Sequence, residues 1–195
     1  MQNQYQIKIL SVSMLILLLN ACSGLGQNQA PLGSNIRPNP ASIANGNSNL
    51  QNANYEALTI AGDLHADNLT IINSLTVESS LFISNSQIKA TTLVGKALIT
   101  TNSKFTGAIQ IGGDIQSDGS YFASSVIFAG NNGEFTKRSK IKGNLTVIST
   151  KPTNIILNRS VINGNIEFKN SKGIVTLTNH AHLKGKVING QLQNK

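Results

Sequence analysis

Ile109-Gln110-Ile111, Val126-Ile127-Phe128, Leu145-Thr146-Val147 and Ile166-Glu167-Phe168 are one short pattern written four times. The same pattern reaches back through Thr92-Leu93-Val94 and Leu75-Thr76-Val77 to Leu58-Thr59-Ile60. Apart from Thr92, each copy sets two apolar residues either side of one free to be polar, the alternation of a strand with one buried face. From Leu58 to Val187 the steps between copies are 17, 17, 17, 17, 19, 21 and 21 residues. A further column reads Ile71, Ile88, Phe105, Phe122, Ile141, Ile162 and Leu183. Columns that change period together mark a solenoid of short strands.

Ser, Asn and Gly fall between the apolar positions, as in Asn102-Ser103 and Gly112-Gly113, where turns need them. Each repeat thus holds about three short strands. One repeat cannot bury its apolar face alone, whereas stacked repeats can. The fold class read from the sequence is all-β, a single-domain right-handed parallel β-helix. It has a 17-residue and then a 21-residue period, and about seven coils that make a rod of roughly 36 Å at sheet spacing. The spacing from the third residue of each copy to the next apolar residue grows along the chain. It is four at Ile60–Leu64, seven at Phe128–Phe135, and nine at Val147–Ile156 and Phe168–Leu177. The reading therefore places the extra residues in loops at Gly130–Gly133, Ser149–Asn154 and Lys169–Gly173, stacked along one edge, where insertions often form a binding face.

Upstream the composition changes. Lys8 is followed by the mostly apolar run Ile9 to Leu19 and then by Asn20-Ala21-Cys22-Ser23, the layout of a secretory signal peptide over residues 1–21. Leu19-Asn20-Ala21-Cys22 resembles the lipobox of bacterial lipoproteins, which implies cleavage before Cys22 and lipidation of that residue. The alternative is an incidental cysteine near an ordinary cleavage site. Ser23 rather than Asp after the cysteine implies, by the same resemblance, the outer membrane. Cys22 is the only cysteine, so no disulfide forms within the chain. Residues 22–54 hold three of the four prolines with much Asn, Gln, Ser and Gly. They read as a flexible linker, leaving 55–195 as the β-helix domain.

Charge divides along the chain. Residues 23–136 carry four basic and seven acidic residues, and residues 137–195 carry eleven basic residues and only Glu167. Export and the absence of Trp argue against nucleic acid, which needs stacking platforms in its single-stranded form. An anionic envelope polymer, a lipid headgroup or the acidic part of a neighbouring rod suits the basic half better. The candidate contacts are Lys151, Lys169 and Lys172 in the corner loops, with Arg159, Lys184 and Lys186.

No arrangement supports catalysis, a cofactor or a metal. His180 and His182 are two apart, as on one strand face, without carboxylates nearby in sequence to complete a site. Asp63 and Asp114, like Asp67 and Asp118, are 51 residues apart. That is three coils, or roughly 14 Å, too far for a hydrolytic carboxylate pair. These acids read as turn residues.

The Gly-x-apolar rhythm of Ala61-Gly62-Asp63-Leu64, Ser139-Lys140-Ile141-Lys142-Gly143-Asn144-Leu145 and Ser160-Val161-Ile162-Asn163-Gly164-Asn165-Ile166 resembles the bactofilin, or polymer-forming cytoskeletal, family over Leu58 to Asn189. The resemblance implies a right-handed β-helix that joins end to end into nucleotide-free scaffold filaments. The lipobox and the 21-residue coils depart from the family pattern. Two functions stay open: a lipid-anchored, self-assembling envelope scaffold, and a monomeric lipoprotein or adhesin whose basic loops bind an anionic glycan, lipid or protein.

Overall fold

The computed structural model describes residues 39–195, and their strands form one 22-stranded parallel sheet wound on itself. Residues 1–38, with the expected signal peptide and Cys22, lie outside the described residues. Each strand pairs with the equivalent strand one coil on, giving three faces. On face I the rungs run Ser42, Leu58, Leu75, Thr92, Ile109, Val126, Leu145, Ile166 and Val187. On face II they run Ser48, Leu64, Leu81, Leu98, Ile115, Gly133, Ile155, Val175 and Leu192. Face III carries Tyr55, Ile71, Ile88, Phe105, Phe122, Ile141, Ile162 and Leu183. The columns read from the sequence are therefore the hydrogen-bonded rungs of faces I and III, and the parallel β-helix is observed.

Between the faces lies a core in which Ile, Leu, Val and Phe are almost wholly buried. Like stacks on like: the rings of Phe105 and Phe122 lie 5.2 Å apart and within 7° of parallel, and Phe135 meets Phe122 edge-on at 6.5 Å. Both geometries are favoured for aromatic pairs.

The corner between faces II and III repeats a two-residue device. Asn52, Asn68, Asn85 and Asn102 have positive φ between 47° and 53°, the left-handed region that Asn tolerates better than other side chains. Gly119 then takes the place at φ 62°. After each such residue from Asn85 on comes a small buried one: Ser86, Ser103, Ser120, Ser139 and Ser160. Their hydroxyls serve the buried backbone. Ser86 Oγ accepts from the Leu69 amide at 2.9 Å, Ser103 Oγ from the Ser86 amide at 3.2 Å and Ser120 Oγ from the Ser103 amide at 3.0 Å. A corner amide that the ladder cannot reach would otherwise be unpaired in the core.

Three expectations are corrected. First, the solenoid starts upstream of residue 55. Ser42–Ala44 and Ser48–Ile60 are strands, and Asn39 bridges Tyr55. This coil fills its interior with Ser42, Ala44, Leu50 and Ala53, and its one large aliphatic on face I, Ile43, points outward. It has no apolar column to read, and pairing to the next coil orders it. Second, Ile156 is not an interior residue. Ile155 and Leu157 face inward and are fully buried, leaving Ile156 41% exposed. In a strand the side chains alternate, so Ile155 and Ile156 cannot both turn inward. Leu177 pairs with Leu157 one place further along.

Third, Gly133, Asn154 and Gly173 lie in strands Asn132–Thr136, Thr153–Asn158 and Gly173–Thr178, not in loops. The coil also grows at a second corner, where Lys137 and Arg138, and later Asn179 and His180, are paired left-handed residues instead of one. Gly173 is interior because the Phe168 ring lies against it, where a Cβ would run into the ring.

Adding that Cβ overpacks the core. Gly173→Ala is expected to cost about 1–3 kcal/mol, measured by urea unfolding followed by circular dichroism. Adding Phe168→Leu should recover part of the loss. Additive losses would show that the ring is not what requires the glycine. At the corner, Asn102→Gly should be near neutral, whereas Asn102→Val should cost at least about 1 kcal/mol, since a β-branched residue resists positive φ.

Candidate functional site: corner ladders, basic corners and open ends

Turn residues tie each coil to the next. Asp63 Oδ1 accepts from the Ser80 amide at 2.9 Å, and Asp114 Oδ1 accepts from the Asn131 and Asn132 amides at 2.7 and 3.0 Å. At the corner between faces III and I, Asn144 accepts from the Asn165 amide and Asn165 from the Lys186 amide, both at 2.9 Å. Asp67 accepts from the Ser84 hydroxyl at 2.5 Å and from the Asn85 side-chain amide at 2.8 Å. Asp118, in the same column three coils on, pairs with Lys137 at 2.5 Å. The four aspartates hold coil to coil, Asp63 and Asp114 from corners, whereas Asp67 and Asp118, read as turn residues, lie in strands Leu64–Val77 and Ile115–Asp118. His180 sits in a left-handed turn and His182 in a strand of face III, so they do not share a strand face. Among the described residues no three His, Cys, Asp or Glu side chains gather as a metal site.

The six candidate basic residues divide among three corners. Lys151, Lys169 and Lys172 come together at the corner between faces I and II. Ser171 Oγ donates to the Lys151 carbonyl at 2.7 Å, and the Thr153 amide donates to the Lys172 carbonyl at 3.4 Å. Lys169 pairs with Glu167 at 2.5 Å. Arg159 occupies the left-handed corner between faces II and III, at φ 51°. Lys184 and Lys186 flank Gly185 between strands His182–Leu183 and Val187–Ile188. These three do not join the first three. Beside the first corner lies a shallow recess lined by Pro152, Asn154, Lys172, Ile174, Asn189 and Gln191.

Sequence reasoning missed an outward ladder on face II. His65 and Phe82 stack at 4.4 Å with rings 1° from parallel, and Ile99 follows on the next rung. Phe82 is thus a phenylalanine outside the core. The signal was available: Phe82 lies between the interior residues Leu81 and Ile83.

The ends of the solenoid are built differently from its middle. Among the described residues, nothing pairs with the outer edge of Ser42–Ala44 or of residues 48–51. The same holds at the other end for His182–Leu183, Val187–Ile188 and Gly190–Asn194. Leu192 belongs to the interior column of face II, one rung beyond the wholly buried Val175, yet it is 49% exposed.

Asp63 is held below the usual carboxylate value chiefly by the Ser79 hydroxyl and then by the Ser80 amide. Asp67 is held down by the Ser84 hydroxyl and then by the Asn85 side chain. Both groups bind a proton less readily folded than unfolded, so their stabilisation is complete above the unfolded value. It is lost as the pH falls below about 4. The urea midpoint should drop between about pH 5 and pH 3, and drop less in Asp63→Asn/Asp67→Asn. An equal drop would remove these two carboxylates as the cause. No family model, curated protein or solved structure matches this chain.

Proposed function

We propose that the protein is a non-catalytic, lipid-anchored scaffold of the bacterial envelope, bactofilin-like, that assembles end to end. The observation that carries this reading is that the outer edges of the first and last coils have no strand partner among the described residues. A parallel edge with free N–H and C=O groups is a template for another strand. A solenoid whose terminal coil leaves interior apolar side chains in water gains by covering them. The bactofilin resemblance of the coil rhythm supports the same assembly. The lipobox-like Leu19-Asn20-Ala21-Cys22 supports an acyl anchor at Cys22 and outer-membrane residence. Several chains on one cysteine would hold the protein far more firmly than a single one.

The test is electron microscopy with light scattering on the lipid-free chain beginning at Ser23. Filaments or end-to-end oligomers are expected, and Leu192→Lys should reduce them by placing a charge in the exposed terminal rung. A monomer at every concentration and salt would sink the scaffold. For the anchor, radiolabelled palmitate should enter the wild-type chain in a bacterial host and should not enter Cys22→Ser.

A second reading rests on Lys151 and Lys172, which the fold brings to one corner with Lys169. Such a cluster suits an anionic envelope polymer or lipid headgroup. Lys151→Glu/Lys169→Glu/Lys172→Glu should abolish retention on anionic vesicles while leaving assembly intact. Unchanged retention would exclude this corner.

A further inference from the structure

We infer that face III is a docking surface for a linear anionic polysaccharide, which lies along the solenoid against a strip of Lys and Arg between Lys104 and Lys184. The face and its residues differ from the coil ends and from the Lys151 corner, so the inference goes beyond both readings above.

The ladder builds the strip. Outward on face III, Lys104, Tyr121 and Lys140 occupy successive rungs. Residues two apart on a strand turn to the same side, so Lys142 joins Lys140 outside the buried Ile141. Lys184 continues the column of Lys142 two coils on. The Lys142 amide donates to the Phe122 carbonyl, the Asn163 amide to the Ile141 carbonyl and the Lys184 amide to the Ile162 carbonyl. At the edge of the same face, Arg138 and Arg159 occupy the left-handed corner in successive coils. From the rung of Phe105 to that of Leu183 is four steps, so these cations span roughly 19 Å along the solenoid.

No acid offsets them. Residues 102–108, 119–125, 137–144, 159–165 and 179–186 form face III and its two corners in these coils, and they hold no Asp or Glu. Asp118 and Glu167, on the neighbouring faces, are paired with Lys137 and Lys169. Those are the two ion pairs among the described residues, which leaves Arg138 and Arg159 without a carboxylate.

The corner carries a second sign. The first five coils turn it on Asn or Gly, and the next two turn it on Lys137, Arg138 and Arg159. Positive φ is harder for Lys or Arg than for Asn or Gly. Both arginines are exposed, so core packing does not select them. Strain kept where an easier residue serves the earlier coils points to a use for the side chain.

The chemistry of the strip selects the occupant. Tyr121 is its one outward Phe, Tyr or Trp, and Lys142 Nζ lies 5.9 Å from the ring centre, in cation–π range. The ring is thus engaged by a cation of the protein, whereas single-stranded nucleic acid needs rings free for its bases. The largest outward aliphatic is Val161, half-buried between Lys140 and His182, which gives a bilayer no apolar face to take up. A line of positive charge without stacking or insertion surfaces fits a polymer that carries its own charges in a line, and such complementarity sets partner and register.

The test is retention of the full chain on immobilised polygalacturonate, a linear uronate polymer, with neutral dextran as control. Binding to the uronate alone is expected, falling as salt is raised. Lys104→Gln/Arg138→Asn/Lys142→Gln/Arg159→Asn should weaken it at least about tenfold. Its urea midpoint should not fall, because Asn eases the corner at positions 138 and 159. Lys151→Glu/Lys169→Glu/Lys172→Glu should bind the uronate as the wild type does. No retention at low salt, or unchanged retention in the face III variant, would overturn the inference. Loss in the Lys151 variant with the face III variant unaffected would move the site to that corner. Tighter binding to phosphatidylglycerol vesicles or to duplex DNA than to the uronate, lost in the face III variant, would keep the surface and overturn the polysaccharide.

Discussion

The parallel backbone ladder between successive coils is the interaction on which everything else in this protein depends. A single coil has no interior. Its two or three inward side chains per face are buried only by the coil above and the coil below, which the ladder holds at sheet spacing. The ladder also dictates what those side chains can be. Equivalent residues lie directly over one another, so each column must pack against itself. Aliphatic residues and flat phenylalanine rings meet that demand, as Phe105 and Phe122 show.

The corners are where such a ladder is weakest, because the chain turns there and some amides point away from any strand. Left-handed Asn residues and buried serines answer both problems between faces II and III. Asp and Asn side chains do the same at the other corners by reaching to the backbone of the neighbouring coil. With the corner amides already satisfied, a coil can lengthen at the surface without disturbing the core. The enlargements therefore sit outside an interior that narrows to glycine at Gly133 and Gly173, beside the rings of Phe128 and Phe168.

The same ladder makes the ends distinct from the body. Along the sides, strands pair with one on either side, whereas among the described residues Ser42–Ala44, His182–Leu183, Val187–Ile188 and Gly190–Asn194 have one partner each. Within the body, Asp63, Asp67, Asp114 and Asp118 hold coil to coil. The six candidate basic residues are spread over three corners, and Lys151, Lys169 and Lys172 form a cluster at one of them.

The sequence by itself determined the repeat, its changing period, the strand alternation and which residues form the columns of faces I and III. These are legible because a stacked column imposes the same physical demand on every coil, and repetition exposes it. It also made the charge asymmetry plain. Tertiary structure alone decided what does not repeat as hydrophobicity. The coil from Asn39 to Asn54 is ordered by backbone pairing rather than by apolar residues of its own. The choice of Ile155 over Ile156 as the inward residue depends on strand register, which adjacent isoleucines cannot reveal. The second growing corner was hidden because one extra left-handed residue leaves no mark in an apolar pattern. The scattering of the six basic residues over three corners, and the exposure of Leu192 at an open end, followed only from closing the coils in space. Those features are set by contacts between coils, and a linear spacing carries no account of which coil is last.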